Sequence, residues 1–210
     1  MRHKNEIIKD IRSELFKWNR LQNNRCFFWR KRKLNYFQCI MMELLLQKTR
    51  AENAEMIIKK FINKFRSPGS LLNTKKKEIM EIIEPLGLQN QRYNTIVKIS
   101  KTLSSNNDNS LESAFGVGHY IANAVKCFYH NERVPIIDVN TSRVVSRLFT
   151  IDNSKDPRSN KLLFEKMEQL LPVRYYKKFN WILLDFGAQI CKSRPNCLIC
   201  PIVKLCNYNN

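Results

Sequence analysis

Cysteine is the first residue type in this chain whose spacing implies chemistry. Four of the seven cysteines, Cys191, Cys197, Cys200 and Cys206, crowd together near the C-terminus with the spacing Cys-x5-Cys-x2-Cys-x5-Cys. Four thiolates in one loop can ligate either a tetrahedral zinc ion or a [4Fe–4S] cube with one thiolate per iron. Zinc sites usually pair two short cysteine gaps, and here only one gap is short. The five-residue gaps suit a larger object wrapped by a loop, which favours the cube. The flanks are polar and basic (Lys192, Arg194, Asn196, Lys204), which opposes a plain apolar core of free thiols. Lys192 and Arg194 are candidate phosphate contacts. An odd cysteine count behind the polar N-terminus Met1–Asp10 argues against a disulfide framework.

Two acids stand in unusual company. Asp138 ends the apolar run Val134–Ile137 and precedes a helical pattern. A carboxylate there can cap the helix, the ordinary role, or face a substrate cation. Glu43 lies among Met41, Met42, Leu44, Leu45 and Leu46, where an acid is costly to bury. It either has a catalytic role or reaches the surface or a distant arginine. Between them lies Phe115-Gly116-Val117-Gly118. Glycines before a helix can expose amides that hold a phosphate, although an ordinary helix–helix turn has the same composition.

The elements that must position these residues read as helices throughout. Five glycines and no alternating runs joined by hairpin turns leave an all-α chain. Ile7, Ile8, Ile11 and Leu15 repeat at helical spacing. Tyr36–Gln47 is apolar nearly all round and predicts a central helix. Further helices are predicted over Glu52–Phe65, stopped at Ser67-Pro68-Gly69, and over Lys75–Ile83, Gln91–Leu103, His119–Tyr129, Asn140–Phe149, Asn160–Leu171 and Tyr175–Ile190, with a short one capped by Ser110. A formal net charge of +19, from 37 basic and 18 acidic residues, repels itself unless an anionic partner neutralises it. Nucleic acid is the leading candidate. No stretch approaches about 18 apolar residues, so no membrane span is expected and a cytoplasmic, monomeric protein is.

Taken in order, these segments resemble the endonuclease III-like branch of the helix-hairpin-helix DNA glycosylases over nearly the whole chain. Glu43-Leu44-Leu45-Leu46-Gln47-Lys48-Thr49-Arg50 is similar to the family's motif beside the base pocket. Phe115–Gly118 followed by Ala122 is similar to its hairpin, and Val134–Asn140 with Arg143-Val144 to its catalytic aspartate segment. Asp185-Phe186-Gly187-Ala188 is similar to its approach to the cluster. The resemblance implies two helical domains with a DNA groove between them. Residues 28–135 would form a six-helix barrel with the hairpin at about 110–130, and 1–27 with 136–210 the cluster domain. It implies that Asp138 stabilises the charge developing on the deoxyribose or activates water, and that the target nucleotide is flipped out of the duplex. Gly116, Val117, Gly118, Leu88 and Gln89 would contact DNA. Gln47 would plug the hole left by flipping, and Trp29, Arg30 and Asn140 would line the base pocket, with Trp29 as ordinary core the alternative.

Two departures from the family pattern matter. Where bifunctional members place a lysine, two residues after the last hairpin glycine, this chain has Tyr120. A phenol cannot form an imine, and Lys126 lies on another helix face, so a monofunctional glycosylase is expected. The first cysteine gap is also one residue shorter than usual. Two subfamilies lack that lysine. One removes thymine or uracil opposite guanine, and resembles this chain at Tyr120, Glu43, Asp138 and Leu86–Arg92. The other removes adenine opposite guanine or 8-oxoguanine, but has Gly-Tyr-Tyr near the Gly87-Leu88-Gln89 segment and an extra C-terminal domain. The thymine/uracil reading is therefore favoured. A non-catalytic DNA-binding protein on the same scaffold and a zinc-stabilised helical adaptor are the alternatives from other classes.

Overall fold

A computed structural model describes residues 4–21, 25–105, 118–152 and 160–208. Every regular element among them is helical, and the chain divides into two compact units, 26–130 and 1–25 with 131–210.

The unit 26–130 holds six α-helices among the described residues: α2 (Tyr36–Leu46), α3 (Ala51–Lys64), α4 (Pro68–Leu72), α5 (Lys76–Ile83), α6 (Gln89–Ser105) and α7 (His119–Phe128). α2 is central, packing against α3, α6 and α7, and nine of its residues are buried. Its start is set by a reciprocal capping box. Asn35 Oδ1 accepts from the Gln38 amide at 2.9 Å, and Gln38 Oε1 accepts from the Asn35 amide at 3.1 Å. Ser67-Pro68-Gly69, expected as a stop, ends α3 and also starts α4. Ser67 and Ser70 form a second capping box, and Pro68 occupies the first turn, where its missing N–H costs nothing. Gly87, at φ 71°, then breaks the chain between a 3₁₀ turn (Glu84–Leu86) and α6.

The other unit holds α1 (Lys4–Leu21), α8 (Val139–Phe149), α9 (Lys161–Leu170) and α10 (Tyr176–Gln189). Its core is built on Ile11, Leu15, Leu163, Phe179, Leu183 and Phe186, each at most 1% exposed. α10 packs along α8 and also meets α1. Two arginines close the C-terminus of α9: Arg12 donates to the carbonyls of Gln169, Leu170 and Leu171, and Arg133 to those of Glu168, Leu171 and Pro172. Carbonyls at a helix end carry the negative end of the helix dipole, so two cations suit them, although that of Glu168 also accepts from the Leu171 amide at 3.3 Å. Burial, and then the nearby Arg133, lowers the Arg12 pKa. Among the described residues no helix is long and apolar enough to cross a membrane.

Candidate active site and cysteine loop

The run Val134–Ile137 has no regular secondary structure. Buried Asn180 on α10 takes a strand's place: its Oδ1 accepts from the Ile136 amide at 3.2 Å, and its Nδ2 donates to the Val134 carbonyl at 3.1 Å. The run ends at Asp138, which is half-buried and caps α8. Oδ1 accepts from the amides of Asn140 (2.9 Å) and Thr141 (2.7 Å). The Thr141 hydroxyl accepts in return from the Asp138 amide at 2.9 Å and donates to the Ile136 carbonyl at 3.0 Å. The capping role anticipated for an aspartate here is therefore real. It uses mainly Oδ1, because Oδ2 accepts one hydrogen bond, from Asn140 Nδ2 at 3.0 Å. An ionised carboxylate has about four acceptor positions, so this one can still accept from water or face a cation.

Asn140, expected in a base pocket, is engaged at both ends of its amide. Nδ2 faces Asp138, and Oδ1 accepts from Arg143 Nη2 at 2.8 Å. Arg143 continues across to α10, donating to the Gly187 carbonyl at 2.8 Å and to the Cys191 carbonyl at 2.7 Å. Gly187 makes this approach feasible. A β-carbon there would lie 2.8 Å from Asn140 Cβ and 2.9 Å from its carbonyl oxygen. One turn further along α8, Arg147 donates to the carbonyls of Lys192 (2.6 Å) and Ser193 (2.8 Å) and lies 3.4 Å from Cys191 Sγ. Asp138 is thus joined through one asparagine and one arginine to the start of the cysteine loop.

Cys191, Cys197, Cys200 and Cys206 line one cavity, walled by apolar groups that include Leu148, Phe186, Ile190 and Ile202. None of the four is in a disulfide. Burial first, and then the neighbouring cysteines, push the Cys200 thiol up to about 11. Among the described residues no set of three or more histidine, cysteine or acidic side chains converges as a site for an ion. The four sulfurs line that cavity, an all-sulfur donor set of the soft kind that thiolate-bound metals take. Lys192 and Arg194 are exposed on this loop.

The unit 26–130 carries the other expected residues. Glu43 is 3% exposed in the middle of α2, so it does not reach the surface. Tyr120, in the first turn of α7, is half-buried against the same core, and α2 and α7 pack together. Trp29 is buried and stacks on Phe27 (centroids 4.5 Å apart, planes at 10°), while the Arg30 guanidinium sits 5.1 Å from the Phe27 ring centre. Trp29 thus packs in the core of this unit. Gln47 and Leu88 are exposed, Gln89 is half-buried, and Gly118 precedes α7 in extended conformation. Phe115, Gly116, Val117 and the helix expected after Ser110 lie outside the described residues.

In the sequence Arg143 and Gly187 stand within segments similar to the family's, but no local pattern assigns a role to them or to Arg147. Their partners lie roughly 40–50 positions away in the chain, although the four-residue spacing of Val139, Arg143 and Arg147 does mark one helix face. The same holds for Arg92, whose acceptors include carbonyls of α2.

A capped aspartate linked to a four-cysteine loop, on an all-helical frame, defines a class that the comparisons identify. The family described as "HhH-GPD superfamily base excision DNA repair protein" matches residues 41–172, and the chain belongs to it. It is similar to the thymine/uracil-DNA glycosylase of Methanothermobacter thermautotrophicus, with 32% identity covering 91% of this chain and 89% of that protein. A thymine/uracil-DNA glycosylase of Pyrobaculum aerophilum is 30% identical, covering 91% and 88%. Among solved structures, a thermostable thymine-DNA glycosylase superposes with a TM-score of 0.87 at 30% identity, covering 98% of this chain and 97% of the other.

Proposed function

We propose that this chain is a monofunctional DNA glycosylase of base excision repair. Its reaction would hydrolyse the N-glycosidic bond of thymine or uracil mispaired with guanine in duplex DNA. Asp138 carries this reading: a carboxylate whose Oδ1 is committed to the α8 amides while Oδ2 keeps acceptor capacity. The relatives named thymine/uracil-DNA glycosylase support the choice of base.

As the bond to the base lengthens, electron density leaves the sugar and C1′ becomes cationic. Oδ2 of Asp138 stabilises that charge, or takes a proton from the water that adds to C1′. Asn140 holds Oδ2 in place, and Arg143 holds Asn140. The departing base leaves with the bonding electrons and takes up a proton, so the products are free base and an abasic site. Tyr120 cannot form an imine with the sugar, so the strand stays intact. The target must leave the base stack to be reached. The surplus of cations, among them exposed Lys192 and Arg194, binds phosphates. A [4Fe–4S] cube held by Cys191, Cys197, Cys200 and Cys206 would tie the loop together, and Arg143 and Arg147 fasten that loop to α8.

Purified protein incubated with duplexes containing T·G, U·G, A·G and A·8-oxoguanine pairs, then treated with alkali, should cleave at the T and U sites. Cleavage only at adenine would move the assignment to an adenine glycosylase. No cleavage of any duplex by protein that still binds them would favour a non-catalytic DNA-binding role. Loaded protein should be brown, with absorption near ~410 nm from ferric–thiolate bonds. A colourless preparation containing zinc would make the metal site a zinc site.

A further inference from the structure

Arg92 on α6 has surroundings that an ordinary surface arginine lacks. It is 8% exposed, and burial alone lowers its pKa. Its partners are carbonyls and one hydroxyl, drawn from two separate segments of the chain. At the end of α2 Nη1 reaches the carbonyls of Leu44 (3.1 Å) and Leu45 (3.3 Å), and in the loop after it Nη2 reaches the Gln47 carbonyl and Thr49 Oγ1 (both 2.7 Å). From the loop before α6, Nε reaches the Gly87 carbonyl at 2.9 Å and Nη2 that of Leu86 at 3.4 Å. One guanidinium thereby serves C-terminal carbonyls of α2 and of the 3₁₀ turn Glu84–Leu86, of which that of Leu44 also accepts from the Gln47 amide at 3.3 Å. A flat, rigid fork with five donors can do this, whereas an ammonium offers three donors from a single point.

The two loops share a second property. Lys48 (φ 56°), Gly87 (φ 71°) and Leu88 (φ 52°) are left-handed, a conformation that only surrounding structure sustains in lysine and leucine. The outcome is an exposed tip. Leu88 is 51% exposed, and it lines one cavity together with Gln47, Lys48 and Arg92. A large apolar side chain fixed outward beside an amide and a cation suits insertion at a base step with a phosphate close by.

We propose that Arg92 is a positioning residue for DNA engagement: it locks the loops Gln47–Thr49 and Leu86–Leu88 into one preformed tip, so that Leu88, Gln47 and Lys48 meet the duplex already ordered. The proposal rests on the DNA-glycosylase reading above. Ordering two loops during binding would otherwise oppose association, so the arginine acts on affinity and base unstacking more than on bond breaking.

The test is a double-mutant cycle on the full-length protein with Arg92→Met, Arg92→Lys, Leu88→Ala and the Arg92→Met/Leu88→Ala combination. Binding is read by anisotropy on a T·G duplex, unstacking by 2-aminopurine fluorescence beside the mispair, and folding by thermal melts. Arg92→Met should bind roughly ten-fold or more weaker and lose most of the 2-aminopurine rise, with KM rising more than kcat falls. Arg92→Lys should not rescue binding. Adding Arg92→Met to Leu88→Ala should cost far less than in the wild-type background, because both act through the same tip. Should Arg92→Met lack a cooperative melt, the cycle is run with Arg92→Lys. Unchanged binding and fluorescence, full rescue by lysine, or multiplicative losses in the double variant would each overturn the proposal. Wild-type protein that binds and unstacks the mispair but releases no base would overturn the glycosylase reading and leave the cycle readable.

Discussion

At the scale of single residues, the side chain of Asp138 caps α8 through Oδ1, and the proposed mechanism gives its chemical task to Oδ2. Asp138→Asn keeps a good helix cap, since asparagine caps about as well as aspartate. It removes the charge that must meet a cationic sugar. Base release from a T·G or U·G duplex should fall by about 10²-fold or more, within the range for losing an electrostatic or general-base contribution, while the melting temperature and duplex affinity stay near wild type. Unchanged turnover would remove Asp138 from the mechanism. Tyr120→Lys tests the other end of the assignment. A lysine there, close enough to the sugar, should form an imine that borohydride traps as a protein–DNA adduct. If no adduct forms, position 120 does not face the reacting sugar. Asn140, expected in a pocket wall two residues from the acid, uses its amide in both directions to tie Asp138 to Arg143.

At the scale of elements, the contact between α8 and α10 depends on one missing side chain. Gly187→Ala would drive a methyl group to 2.8 Å from Asn140 Cβ. Overpacking of this kind costs about 1–3 kcal/mol, which for a domain of this size lowers the melting point by several degrees. The displaced residue is the one that holds Oδ2 of Asp138, so turnover should fall by more than the loss of folded protein explains. A melt and a single-turnover rate measured on the same sample separate the two effects. A rate that simply tracks the folded fraction would mean that the contact serves packing alone. Helix boundaries were largely legible because caps and breakers act locally: Asn35, Ser67, Asp138 and Asn160 each bond to an amide within three residues. α4 escaped notice because Ser67-Pro68-Gly69 both ends one helix and starts the next.

At the scale of the whole molecule, a net charge of +19 makes DNA binding an ion-exchange reaction. Each phosphate contact releases a counterion, so affinity should drop steeply between low and physiological salt, with log K falling linearly in log salt. A flat response in an anisotropy titration would exclude a phosphate-driven complex. The candidate residues are shared between the two compact units. Glu43, Tyr120, Gln47 and Leu88 belong to 26–130, while Asp138, Asn140 and the four cysteines belong to the other. The two units therefore have to fold with their own cores for either set to be positioned. Two clusters provide those cores, one around α2 and one around α1, α8, α9 and α10.

The linear chain by itself determined features that act over short distances. The cysteine spacing brings four thiols into one loop, the apolar run of α2 demands a buried helix, and Asp138 is placed to start α8. Each follows from periodicity, capping or ligand spacing within a few residues. Tertiary structure alone decided which distant groups complete them: Asn180 behind the Val134–Ile137 run, Gly187 beneath Asn140, and Arg143 between Asp138 and Cys191. It also put Arg92 under two loops whose acceptors lie about 5 to 48 positions away. Such pairings depend on how helices cross, and the crossing is set by the packing of whole cores, which no local pattern encodes.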